Sequence, residues 1–164
     1  MIDIQRATTS SAVPGDDALE RACCATLAYC DRRGAVSLRV TDREEMQALN
    51  AQFRGKPMPT NVLSFPADVE IEEGMLLLGD IVLCAPVVET EALAQNKTTD
   101  AHYLHMVVHG TLHLLGYDHI DDDDARIMEQ CEREVLARLG IADPYSHSAA
   151  MSTAPAGQQT SING

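Results

Sequence analysis

The chain lacks any uninterrupted apolar run of the roughly 18 residues that a membrane-spanning helix requires. Its best candidate, Met75 to Val88, is broken by Asp80 and Pro86, so no membrane span is expected. The N-terminus carries Asp3 and no apolar segment of the secretory kind, which makes the cytoplasm the expected compartment. No CxxC pair occurs among Cys23, Cys24, Cys30, Cys84 and Cys131, and their number is odd. That spacing suits neither a disulfide framework nor a thiolate zinc site, and the five read as reduced core cysteines. Basic residues are also scarce, and the net charge of −13 argues at face value against a nucleic-acid partner.

The distribution of charge softens that objection. Residues 1–56 hold eight of the twelve Lys and Arg against eight acids, whereas residues 57–164 hold four bases against seventeen acids. An anion-binding surface would therefore be built from Arg32, Arg33, Arg39, Arg43, Arg54 and Lys56. For most of these, a solvated helix or loop position is the simpler reading.

What is present is the composition of a globular domain: 164 residues, 45% hydrophobic and 23% charged. Ile2 to Arg6 reads as a first strand. Asp16 to Tyr29 has helical spacing, with Leu19, Ala22, Cys23 and Leu27 on one face. Ala35 to Val40 alternates as a half-buried strand does. Thr41 with Glu44 predicts a capping box opening a helix through Phe53. Asn61 to Phe65 reads as a strand closed by Pro66, and Leu76 to Cys84 as the next, with Pro86 starting a helix. Helices are predicted over 100–115, ending at Gly116, and over 121–139, ending at Gly140. The expected fold is a single α/β (α+β) domain over residues 1–145, a mixed sheet of about four strands packed with about five helices. Residues 146–164, rich in Ser, Ala, Thr, Gly and Gln, are expected to form a disordered tail.

The stretch that carries chemistry is His109-Gly-Thr-Leu-His113-Leu-Leu-Gly116-Tyr-Asp-His119. Helical residues four apart share a face, so His109 and His113 can address one metal ion. Gly116 supplies a left-handed turn, after which His119 can approach from the side. Three neutral imidazoles leave one position of a tetrahedral zinc open, the arrangement of a catalytic site. Zinc is favoured over iron because no carboxylate sits at the HxxxH positions; nickel and copper remain compatible with the ligands. Metzincin proteases share the spacing as HExxHxxGxxH, with the glutamate as general base. Here that position is Gly110, which disfavours peptidase activity.

His102 and His105 extend the same stripe, as partners of the ligands, substrate contacts, or packed histidines. Asp118 could orient an imidazole or serve as a turn residue. The run Asp121 to Asp124 lacks the DxDxDG form of a calcium loop and reads as a helix cap.

The sequence resembles the YbeY family of bacterial endoribonucleases, also described as ribosomal RNA maturation factors. The resemblance lies in the histidine block preceded by His105-Met-Val-Val, in Leu49-Asn-Ala-Gln-Phe-Arg54-Gly-Lys56 continuing through Pro59 to Pro66, and in Leu77 to Cys84. It runs from about residue 36 to Tyr145. The resemblance implies a single-strand-specific, metal-dependent endoribonuclease acting in maturation of the small-subunit ribosomal RNA 3′ end and in ribosome quality control. It implies one zinc per chain on His109, His113 and His119, and a functional Arg54 adding charge-assisted hydrogen bonds to a phosphate. Lys56 and His105 are the candidate substrate contacts. Two alternatives stay open: a ribosome-biogenesis binding protein with a mainly structural zinc, and a metallohydrolase of another substrate.

Overall fold

In the computed structural model, which describes residues 1–118 and 120–145, four strands and five helices form one mixed sheet with helices against it. The elements are β1 (Ile2–Ala7), α1 (Asp16–Tyr29), β2 (Ala35–Thr41), α2 (Arg43–Arg54), β3 (Val62–Glu72), β4 (Met75–Cys84), α3 (Ala85–Ala94), α4 (Thr99–Leu114) and α5 (Asp122–Arg138). The expected fold class is therefore what the chain adopts. His119 and the expected tail, 146–164, lie outside the described residues. No helix among the described residues is long and apolar enough to cross a membrane.

The strand order is β1-β2-β4-β3. β1 and β4 run parallel to β2, while β3 pairs antiparallel with β4. Period-two alternation divides β4 between two cores. Ile81 and Leu83 join the main core with Leu38, Val107 and Val135, whereas Val82 and Cys84 pack with Met46 and Leu63. Each Leu or Val buried in this way contributes roughly 1.5–3 kcal/mol. α4 lies between α1, α3, α5 and the β3–β4 pair, and twelve of its sixteen residues are buried. A helix apolar nearly all round demands such a central place, so His102, His105 and His109 within it are enclosed by the fold.

Two local expectations are corrected. β3 does not stop at Pro66 but continues to Glu72, with its register against β4 shifted between Pro66 and Val69. β3 is an edge strand, where a missing N–H is tolerated. Opposite the irregularity, a Cβ on Gly79 (φ +152°) would lie 2.4 Å from the Phe65 carbonyl oxygen, so glycine admits the close approach. The capping box at Thr41 is also absent. Asp42 is the N-cap of α2 without a side-chain cap bond, its carboxylate accepting from Thr8 Oγ1 and the Thr9 amide. Thr41 ends β2 and donates to Glu45 Oε1 at 3.0 Å. At α5 the expected cap is present, Asp121 accepting from the Asp124 amide at 2.8 Å.

All five cysteines are free thiols; Cys23, Cys84 and Cys131 are buried and Cys30 is partly so. Cys24 is exposed, which removes it from the expected set of core cysteines.

Candidate functional site

His109 and His113 stand one turn apart on α4, their ring centroids 4.8 Å apart and their planes at 79°. Both line a cleft of about 400 Å³ whose other walls include Arg54, Ser64, Pro66, Tyr117 and Asp118. Gly116, at φ +101°, ends the helix as expected and turns the chain so that Tyr117 and Asp118 form the cleft's rim. Two of the three predicted ligands are thus on one wall; the third, His119, lies outside the described residues. Among the described residues no three His, Cys, Asp or Glu side chains gather as a metal site.

Beneath the cleft stands a carboxylate that the sequence reading missed. Glu132 of α5 is 1% exposed. Its Oε2 meets His109 Nδ1 at 2.6 Å and its Oε1 meets His105 Nε2 at 2.7 Å; the Tyr145 hydroxyl also donates to Oε1. Burial pushes the Glu132 pKa up, but the adjacent imidazoles of His105 and His109 outweigh that and hold it well below the usual carboxylate range. A sequence signal did exist. With Met128, Val135 and Leu136, Glu132 lies on the buried face of α5, where an acid is almost never found unless partnered.

His102 and His105 are buried one turn apart on the same helix. His102 Nε2 meets Glu91 Oε1 at 2.9 Å. Burial depresses the pKa of both rings, against the opposing pull of Glu91 on His102 and of Glu132 on His105. His105 faces Glu132, Lys97 and Tyr145 and is not among the cleft's lining residues.

Arg54 is the last residue of α2, exposed at the cleft mouth. Gly55 in the left-handed conformation (φ +71°) ends that helix, with Lys56 N donating back to Asn50 O at 3.2 Å. Asn50 Nδ2 then ties the following loop down through Met58 O at 2.7 Å. Lys56 thereby lines an adjoining depression of about 250 Å³ that shares Arg54 and Val62 with the first cleft. Arg32, Arg33, Arg39 and Arg43 line neither, and Arg39 is held by Glu45 at 2.6 Å. Of the six bases from which an anion-binding surface was expected, Arg54 and Lys56 are the two that line these depressions.

These donors fit a divalent metal. Two imidazoles one turn apart suit a borderline-soft cation. A carboxylate on Nδ1 of one of them is the usual partner of a ligating histidine.

The model of the family described as endoribonuclease YbeY matches residues 10–140. The chain belongs to this family. It is 49% identical over 147 residues to the endoribonuclease YbeY of Idiomarina loihiensis, covering 88% of this chain and 90% of that protein. Against the Pseudomonas putida endoribonuclease YbeY it is 51% identical over 146 residues, covering 88% and 92%. A Thermotoga maritima protein solved in solution shares 26% identity and superposes with a TM-score of 0.55, covering 97% of this chain and all of that one. The YbeY match begins at residue 10 rather than 36, so the family includes α1.

In this YbeY family member, Gly110 has a steric reason to be glycine. A Cβ there would lie 2.9 Å from Ile81 Cγ2 and 3.1 Å from Val62 Cγ2, because α4 rests directly on β3 and β4. Ser64 Oγ donates to the Gly110 carbonyl at 2.8 Å across the same contact. The position that carries the protease base therefore faces side chains of β3 and β4. Gly110→Glu is expected to cost about 3 kcal/mol or more through overpacking and a buried carboxylate, read as a lower urea midpoint, and to yield no peptidase activity.

Proposed function

We propose that the chain is a single-strand-specific, zinc-dependent endoribonuclease that acts in the cytoplasm on the 3′ end of small-subunit ribosomal RNA and in ribosome quality control. RNA cleavage follows from membership of the endoribonuclease YbeY family. The observation that carries it is that His109 and His113 share one cleft with Arg54, with Glu132 bonded behind His109.

His109, His113 and His119 would hold one zinc ion. When bound, zinc supplies Lewis-acid polarisation of a phosphoryl oxygen and acidifies water. The imidazoles bring no negative charge to repel a phosphodiester. Arg54 donates charge-assisted hydrogen bonds to the scissile phosphate and strengthens them as charge builds in the transition state. Lys56, in the adjoining depression, holds a neighbouring phosphate of the same strand. His105 contributes as a positioning residue through Glu132.

Metal-stripped protein is expected to leave a single-stranded ribosomal RNA 3′-end fragment uncut and to regain cleavage with one equivalent of Zn2+. A duplex of the same sequence should stay intact. Equal cleavage by stripped and loaded protein would remove the metal from the chemistry. A single 2′-deoxy nucleotide at the cut site then separates attack by water, which survives it, from attack by the substrate 2′-OH.

A further inference from the structure

Behind the cleft runs a chain of buried and half-buried polar groups whose donor directions are set at one end. Asn96 adopts the left-handed conformation (φ +58°) after α3, and Lys97 N donates back to Ala92 O at 2.9 Å. That reversal brings the Lys97 side chain against the first turns of α4. Its Nζ lies 3.1 Å from His102 Nδ1 and 3.2 Å from His105 Nδ1. Burial pulls the Lys97 pKa down to about 8, with Glu132 and Glu91 opposing, so at pH 7 the group is an ammonium. An ammonium has only donors. Both Nδ1 atoms must then accept, which places the ring proton of each histidine on Nε2.

Each Nε2–H has a carboxylate to receive it: Glu91 Oε1 at 2.9 Å from His102 and Glu132 Oε1 at 2.7 Å from His105. Glu132 is acceptor-only when ionised, so its second oxygen, 2.6 Å from His109 Nδ1, takes a proton from that ring. His109 is thus the Nδ1–H tautomer, and a metal at His109 meets Nε2. Every junction agrees in polarity from Lys97 to His109, and reversing one would set two donors or two acceptors face to face.

We propose that Lys97, His105 and Glu132 form a positioning relay that fixes the metal-binding tautomer and orientation of His109. The relay rests on the reading of His109 as a metal ligand, and the experiment separates the two. In protein labelled with 15N-histidine at pH 7, long-range 1H–15N spectra should show His102 and His105 as Nε2–H tautomers, with and without Zn2+. His109 should carry its proton on Nδ1. Imidazolium or Nδ1–H signals from His105 would overturn the relay whatever the metal does.

Zinc affinity is the second readout, taken by competition with a chromophoric chelator. Glu132→Gln is expected to weaken Zn2+ binding by roughly 10- to 100-fold, the range for partners of metal ligands, and Lys97→Met by roughly 10-fold. Lys97 is only partly buried, so its variant serves if Glu132→Gln fails to fold. In Lys97→Met the His105 signals should divide between tautomers. A network that merely tied α3, α4 and α5 together would lower stability yet leave the affinity of the folded protein unchanged; that result overturns the relay. Wild-type protein that holds no Zn2+ at all would sink the metal reading, and the tautomers of the metal-free protein would still decide the relay.

Discussion

His113→Ala is expected to lose bound zinc, with affinity falling by at least about a hundredfold, and RNA cleavage is expected to fall to background with it. Of the two described candidate ligands, His113 is the better position for this test. It is partly exposed in the last turn of α4, so truncation removes little packing. His109→Ala would instead deprive the buried Glu132 carboxylate of one of its imidazole partners, and breaking a buried pair costs several kcal/mol. Loss of metal there would be confounded with loss of fold. Metal content by mass spectrometry and the thermal midpoint of the metal-free protein separate these outcomes. A His113→Ala protein that retained one zinc per chain would remove that imidazole from the ligand set.

The parts of this site that were legible in the sequence are those whose geometry is local. His109 and His113 are four residues apart on a helix, and 3.6 residues per turn brings them to one face whatever surrounds them. The bounds of α1, Asp16–Tyr29, match the expected ones because an apolar stripe marks them. Glu132 is 23 positions from the His109 it supports, and Lys97 reaches two histidines through a turn set by Asn96. Those relations depend on how α3 and α5 dock on α4, which no periodicity specifies. The capping-box error has the same root. Thr41 followed by Glu44 satisfies the pattern, but pairing with Cys84 of β4 kept Thr41 in the strand and left the cap to Asp42.

The net charge of −13 misleads for a related reason: the total is not the field at the cleft. Of the acids in the second half of the chain, Glu91 and Glu132 are hydrogen-bonded to histidines. Asp121 to Asp124 sit at the N-terminus of α5, where the helix dipole favours them. Among the described residues lining the two depressions, Asp118 is the one acid, against Arg54 and Lys56. An anionic strand entering these depressions would meet a local surplus of positive charge on an acidic protein.

That surplus rests heavily on Arg54, and Arg54→Glu is expected to keep the fold and the zinc while lowering RNA cleavage by at least about a thousandfold. Losing one well-placed transition-state donor costs about 10²–10³ in rate, and the introduced carboxylate adds repulsion against the phosphate. Stability should fall by no more than about 2 kcal/mol, because the position is exposed although an anion in the last turn of α2 opposes the helix dipole. Arg54→Gln, which removes the charge without reversing it, should retain more activity. Its binding to single-stranded RNA should show a salt dependence shallower by about 0.7 in the log–log slope, one phosphate contact fewer. An Arg54→Glu protein that held zinc and still cut RNA at the wild-type rate would show that the transition-state charge is met elsewhere in the cleft.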